Sequence, residues 1–129
     1  MNFLKSISLS CLFLFVNLSA HAQVFYYVDD MADIYTYDLS TCESTFVVHI
    51  QGTPTSYRDI TFAPDGNLYV VSLTKLYKID LVTGASTLLT TLCANTNLCG
   101  TNAMTSDTEG NIYMAGKRLY SYNIYTQTT

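Results

Sequence analysis

The residues able to do chemistry are few and scattered. Beyond residue 22 the chain holds one histidine, His49, three cysteines and ten carboxylates. His49 has no nucleophile motif or second base beside it, which predicts a solvent-facing strand residue rather than a general base. Asp29, Asp30 and Asp33 offer oxygens that calcium accepts. They lack the glycine and distal glutamate of a calcium loop, and they read as turn carboxylates. Cys93 and Cys99 stand at the two ends of one loop, a spacing that suggests a stapling disulfide. A metal site would need a further ligand pair that the sequence does not supply. Cys42 is left as a turn thiol, or as the partner of a residue outside this sequence. The stretches Ser56-Tyr57-Arg58-Asp59 and Gly100-Thr101-Asn102 remain. An exposed Tyr57 beside Arg58 can stack on a sugar ring or a peptide. Tyr57, Arg58, Asp59 and Asn102 are therefore the expected ligand-binding residues. The competing reading pairs Arg58 with Asp59 and packs Tyr57 inside. No catalytic set, metal site or cofactor is expected.

Those residues must be carried by strands. Residues 58–92 hold the clearest pattern. Ile60-Thr61-Phe62-Ala63 is a short apolar-rich run, closed by Pro64-Asp65-Gly66-Asn67, whose turn chemistry suits a hairpin with a glycine bulge. Leu68-Tyr69-Val70-Val71 is a β-branched and aromatic strand. Leu76-Tyr77-Lys78-Ile79-Asp80-Leu81 alternates, placing Tyr77, Ile79 and Leu81 on one face. Val82-Thr83-Gly84 turns the chain into a fourth strand, Ser86 to Leu92. No segment beyond residue 22 shows a helical apolar period, so the fold class is all-β.

The unit is copied on both sides. Ile34-Tyr35-Thr36-Tyr37-Asp38-Leu39 matches Leu76 to Leu81 at an offset of 42 residues. Glu109-Gly110-Asn111-Ile112-Tyr113 matches Asp65 to Tyr69 at 44, and Leu119 to Ile124 matches Leu76 to Leu81 at 43. The offset changes only in loops, where insertions are tolerated. Asp38, Asp80 and Asn123 share one position, which suggests a turn-capping role. Cys42, Gly84 and Gln127 share another.

Ile60 to Val70, Leu76 to Asp80 and Thr83-Gly84 together resemble the blade consensus of secreted bacterial β-propellers, the NHL-like, YVTN-like and gluconolactonase-like groups. Ser106 to Tyr113 is also similar to the sialidase Asp-box, with Tyr113 as its aromatic and a different acidic spacing. The resemblance implies four-stranded antiparallel blades in an incomplete propeller: blade 1 over about 23–50, blade 2 over about 58–92 and blade 3 over about 102–129. It also implies that Tyr57, Arg58, Asp59 and Asn102 lie near the mouth of a central channel, facing a protein or a glycan. About two and a half blades fall short of the roughly 4 to 8 that close a propeller. A piece of a longer chain, or closure by copies of itself, is therefore expected.

Residues 1–22 read as a signal peptide. Lys5 is the positive start, Ile7 to Val16 the apolar centre, and Ala20-His21-Ala22 the cleavage site. That leaves residues 23–129 with five basic and ten acidic side chains, a charge near −5. Nucleic acid is an improbable partner for such a chain, because phosphate binding wants clustered Lys and Arg. No membrane span is expected after processing. The expected protein is an exported one, periplasmic, cell-surface or extracellular, acting as a non-catalytic binding or scaffolding module. The alternative is a fragment of a gluconolactonase-like metal-dependent hydrolase, for which only Asp59 and Asn102 are placed to serve as ligands.

Overall fold

The computed structural model describes residues 23–52, 56–94 and 100–129. The expected signal peptide, 1–22, and Cys99 lie outside them. Ten strands and no helix make up the described residues, in three antiparallel meanders. Sheet 1 joins β1 (Val24–Val28), β2 (Asp33–Asp38) and β3 (Glu43–His49). Sheet 2 joins β4 (Tyr57–Phe62), β5 (Leu68–Ser72), β6 (Lys75–Ile79) and β7 (Ser86–Thr91). Sheet 3 joins β8 (Ala103–Ser106), β9 (Asn111–Ala115) and β10 (Leu119–Asn123). No sheet closes on itself. The three sheets are layered, with β4 lying against β1 on one side and against β8 on the other.

The all-β reading holds, and the strand limits shift for local reasons. The first strand of sheet 2 begins at Tyr57, not Ile60. Tyr57 pairs with Ser72 and Asp59 with Val71, so Arg58 is an extra residue in a β-bulge. The third strand stops at Ile79. Asp80 leaves the ladder because its carboxylate accepts the Val82 and Thr83 N–H groups at 2.8 and 3.1 Å.

The repeat is visible in the backbone. A register shift falls between Ile34 and Tyr35 in sheet 1 and between Leu76 and Tyr77 in sheet 2, the same repeat position. Cys42, Gly84 and Gln127 all take positive φ, at 58°, 75° and 55°. Each donates its N–H to the carbonyl four residues back, on Asp38, Asp80 and Asn123, at 2.8 Å in all three turns. The side-chain oxygens of those three residues accept N–H groups inside the same turns, at 2.7 to 3.1 Å. The turn-capping role is thus common to all three repeats, and at Gln127 the sequence meets a left-handed requirement without glycine.

Two cores lie between the layers. Leu68, Val70, Tyr77 and Ile79 pack with Ile34 and Ile50 between sheets 1 and 2. Tyr69, Val71 and Leu76 pack with Met104, Ile112, Met114 and Tyr122 between sheets 2 and 3. Strand β5 therefore sends alternate side chains into both cores and is buried along its whole length. This is why Leu68 to Val71 is continuously apolar instead of alternating. Each such side chain stabilises the fold by roughly 1.5–3 kcal/mol relative to exposure.

Candidate functional site

The loop edge that carries the start of β4 and β8 holds the sequence-predicted residues, and the structure separates them by role. Tyr57 is only 7% exposed. Its ring meets Tyr77 edge-on, with centroids 6.0 Å apart, inside the core between sheets 1 and 2. The expectation of an exposed stacking ring is corrected on this point. The bulge at Arg58 turns the tyrosine inward, so the packed alternative describes it. Burial, followed by the neighbouring Tyr77, raises the Tyr57 pKa. The hydroxyl has no hydrogen-bond partner among the described residues.

Asp59 does not pair with Arg58. Its carboxylate accepts the Ile60 N–H at 2.8 Å and, across the gap between sheets, the Met104 N–H at 2.6 Å. It is a strut joining β4 to β8, with one oxygen committed to each strand. Arg58 is exposed and forms no salt bridge among the described residues. Asn102, also exposed, anchors its backbone N–H on the Ala115 carbonyl at 2.8 Å. Pairing of Ile60 with Val70 and of Met104 with Met114 makes Arg58 and Asn102 equivalent positions in their repeats. Their neighbours Tyr57 and Thr101 are equivalent as well, and both hydroxyls are buried without a partner among the described residues. What this edge offers a ligand is a cation in the β4 bulge and a neutral amide just before β8, with the Asp59 carboxylate already occupied.

The opposite edge carries a feature that sequence reasoning missed. The Asp65 carboxylate accepts Asn67 Nδ2 and the Tyr69 hydroxyl, each at 2.7 Å. In sheet 3 the Asp107 carboxylate accepts Asn111 Nδ2 at 2.8 Å and the Tyr113 hydroxyl at 3.1 Å. Alignment places Asp65 opposite Glu109, so the two aspartates do the same work from different positions. The shared signal was Asn-x-Tyr after an upstream aspartate. Burial pushes the Asp65 pKa up, but hydrogen bonds from Asn67 and Tyr69 outweigh it and leave a net lowering. At Asp107 the Asn111 side chain leads the lowering. Tyr69 is raised by burial first and then by its bond to Asp65. A groove of about 510 Å³ lies beside the Asp65 cluster, with Lys78 and Asp80 in its wall. Asp80 is held by its own turn, which leaves Lys78 as the cation facing that space.

Other candidates resolve simply. His49 is exposed, as expected, and its Nδ1 lies 2.6 Å from an Asp33 oxygen. Asp29 accepts the Met31 and Asp33 N–H groups, both at 2.9 Å, and so shapes its loop. No group of three or more His, Cys, Asp or Glu placed to hold a metal occurs among the described residues. Cys42 is exposed and unbridged. The expected Cys93–Cys99 bridge lies outside the described residues, because it depends on Cys99. No helix among the described residues is long and apolar enough to cross a membrane. No protein-family model and no curated protein matches the chain.

Proposed function

We propose that this chain is a non-catalytic binding or scaffolding module of an exported bacterial protein, built from propeller blades. The observation that carries the reading is how the carboxylates are used. Asp29, Asp38, Asp65, Asp80 and Asp107 hold turns, and Asp59 ties two sheets together. A hydrolase needs such groups aimed at a reacting atom, and here these six are aimed at backbone N–H groups, side-chain amides and hydroxyls. The ligand-facing groups are then Arg58 and Asn102, in equivalent positions at one edge, which suit a glycan or a peptide. The Cys93–Cys99 bridge belongs to the same proposal as a staple of the loop leading to Asn102.

The test is a glycan and peptide binding screen on the exported protein, repeated with Arg58→Ala and Asn102→Ala. Binding that weakens about 30-fold or more in either variant supports the reading, in line with loss of one interface hot spot. Lactone or ester turnover that depends on added divalent metal, and that falls with Asp59→Asn, overturns it in favour of a hydrolase.

A further inference from the structure

Both ends of the layered stack expose a sheet face, and the repeat identifies what each face is shaped to meet. In sheet 1, Tyr27 pairs with Tyr35 and Tyr35 with Phe46. In sheet 2 the corresponding residues are Val70, Tyr77 and Leu88. Val70 and Tyr77 form the face that sheet 1 covers, at 0% and 4% exposure. Sheet 1 presents the same face outward, with Phe25 at 53% and Phe46 at 54% exposure. Its rings are already ordered: Tyr27 stacks on Tyr35 at 5.2 Å, and Phe46 meets Tyr35 edge-on at 5.7 Å.

Sheet 3 presents the converse. Its pair Leu119 and Ala115 corresponds to Leu76 and Val71 of sheet 2, which lie on the face that sheet 3 covers. Leu76 is 0% exposed, whereas Leu119 is 74% exposed. A shallow depression of about 240 Å³ runs between Leu119, Ala115, Tyr113 and Met104. The two open faces are therefore the two halves of the joint that sheet 2 makes twice inside this chain.

Charge selects the same pairing. The loop between the paired strands β1 and β2 carries Asp29 and Asp30, with Asp33 at its end, and the equivalent loop between β9 and β10 carries Lys117 and Arg118. Stacking unlike faces brings these equivalent loops side by side. Stacking like faces with their strands running the same way would set acid on acid or base on base, which costs several kcal/mol by the usual range for like-charge contacts.

We propose that the outer face of sheet 1 docks on the outer face of sheet 3 of a second copy of this chain, head to tail. Two copies bring together twice the three sheets seen here, within the range of about 4 to 8 sheets that close a ring. The proposal goes beyond the ligand-binding role and stands without it.

The experiment is sedimentation equilibrium on the full chain and on two exposed-face variants, Phe46→Lys and Leu119→Lys, with circular dichroism to verify that each is folded. The parent is expected to be a dimer at about 10 μM and each variant alone a monomer, with association weakened at least about 30-fold, the effect of one hot spot. Mixing the two variants is expected to give a one-to-one dimer, weaker than the parent's, because one of the two joints then keeps both native faces while the other carries both lysines. Arg118→Glu, in the loop between β9 and β10 beside Leu119, is expected to weaken the parent dimer and reduce its salt sensitivity. A monomeric parent at 100-fold higher concentration overturns the proposal and leaves both faces to another polypeptide segment. A dimer that persists in either lysine variant alone overturns the head-to-tail arrangement.

Discussion

Strands β5 and β1 occupy the same place in their repeats and live in opposite surroundings. All five residues of β5 are buried, while the first four of β1 are exposed and the fifth is half-buried. Both are apolar and aromatic: Leu68-Tyr69-Val70-Val71 in one, Phe25-Tyr26-Tyr27-Val28 in the other. The difference lies in neighbours rather than composition. Sheet 2 has a sheet on each side, and sheet 1 has one on a single side. Exposed aromatic surface in sheet 1 is thus the ordinary core face of this repeat with none of the described residues upon it, the kind of patch that marks an interaction surface.

The contrast is broken most severely by truncating equivalent residues in different layers. Leu76→Ala is expected to cost about 2–5 kcal/mol, because Leu76 is fully enclosed and its removal leaves a cavity. Leu119→Ala, the same position in sheet 3, should change stability by no more than about 0.5 kcal/mol in dilute, monomeric protein. Urea unfolding of both variants measures the gap, and equal losses would mean that sheet 3 is covered in solution.

Turn glycines give the next largest effect. Gly84 has a φ of 75°, and a Cβ there would stand 2.0 Å from the His49 carbonyl oxygen. Gly66 has a φ of 77° with nothing within 4 Å. Gly66→Ala should therefore cost only the about 1–2 kcal/mol of a left-handed side chain. Gly84→Ala should exceed that, since it also drives the sheet 1 backbone away from sheet 2. Thermal melts of the two variants decide the order.

Asp59→Ala comes third. It leaves the Met104 and Ile60 N–H groups unmet, an expected loss of about 1–3 kcal/mol. Asp59→Asn keeps a carbonyl acceptor and should recover part of it. If both variants melt like the parent, the strut between β4 and β8 carries no load.

The smallest effect is the pH dependence. Hydrogen bonds hold the Asp38, Asp80 and Asp107 carboxyls below their ordinary pKa, and at Asp65 they prevail over burial. Groups depressed in the folded state add stability that is complete above the unfolded value, near 3.8, and is lost as pH falls through the lower folded values. Unfolding midpoints should stay level from neutral pH to about pH 5 and decline below about pH 4. Asn123 does the job of Asp80 without a charge, so Asp80→Asn should fold normally and decline less in acid. A decline of the same size in that variant would remove Asp80 from the explanation.

Much of the architecture was legible because hairpin chemistry is local. Pro64-Asp65-Gly66-Asn67 closes a turn within its own four residues, and Asp80 caps the turn that follows it. Leu68 to Val71 also announced its burial, since a continuously apolar strand needs cover on both faces. The edge residues were less legible. Tyr57 looked like an exposed ring beside a cation, but a bulge is set by pairing with β5 and reverses which way a side chain points. Asp59 looked like a partner for Arg58, and its partner is the backbone of Met104, 45 residues away.

The sequence alone determined that strands form, that they repeat at 42 to 44 residues, and which side chains shape the turns. These depend on alternation and on contacts a few residues apart. Only the tertiary structure decided which copies of a repeated face are covered and which carboxylates span two sheets. Those outcomes depend on which layer lies beside which, and a strand carries the same apolar pattern whether or not its neighbour is present.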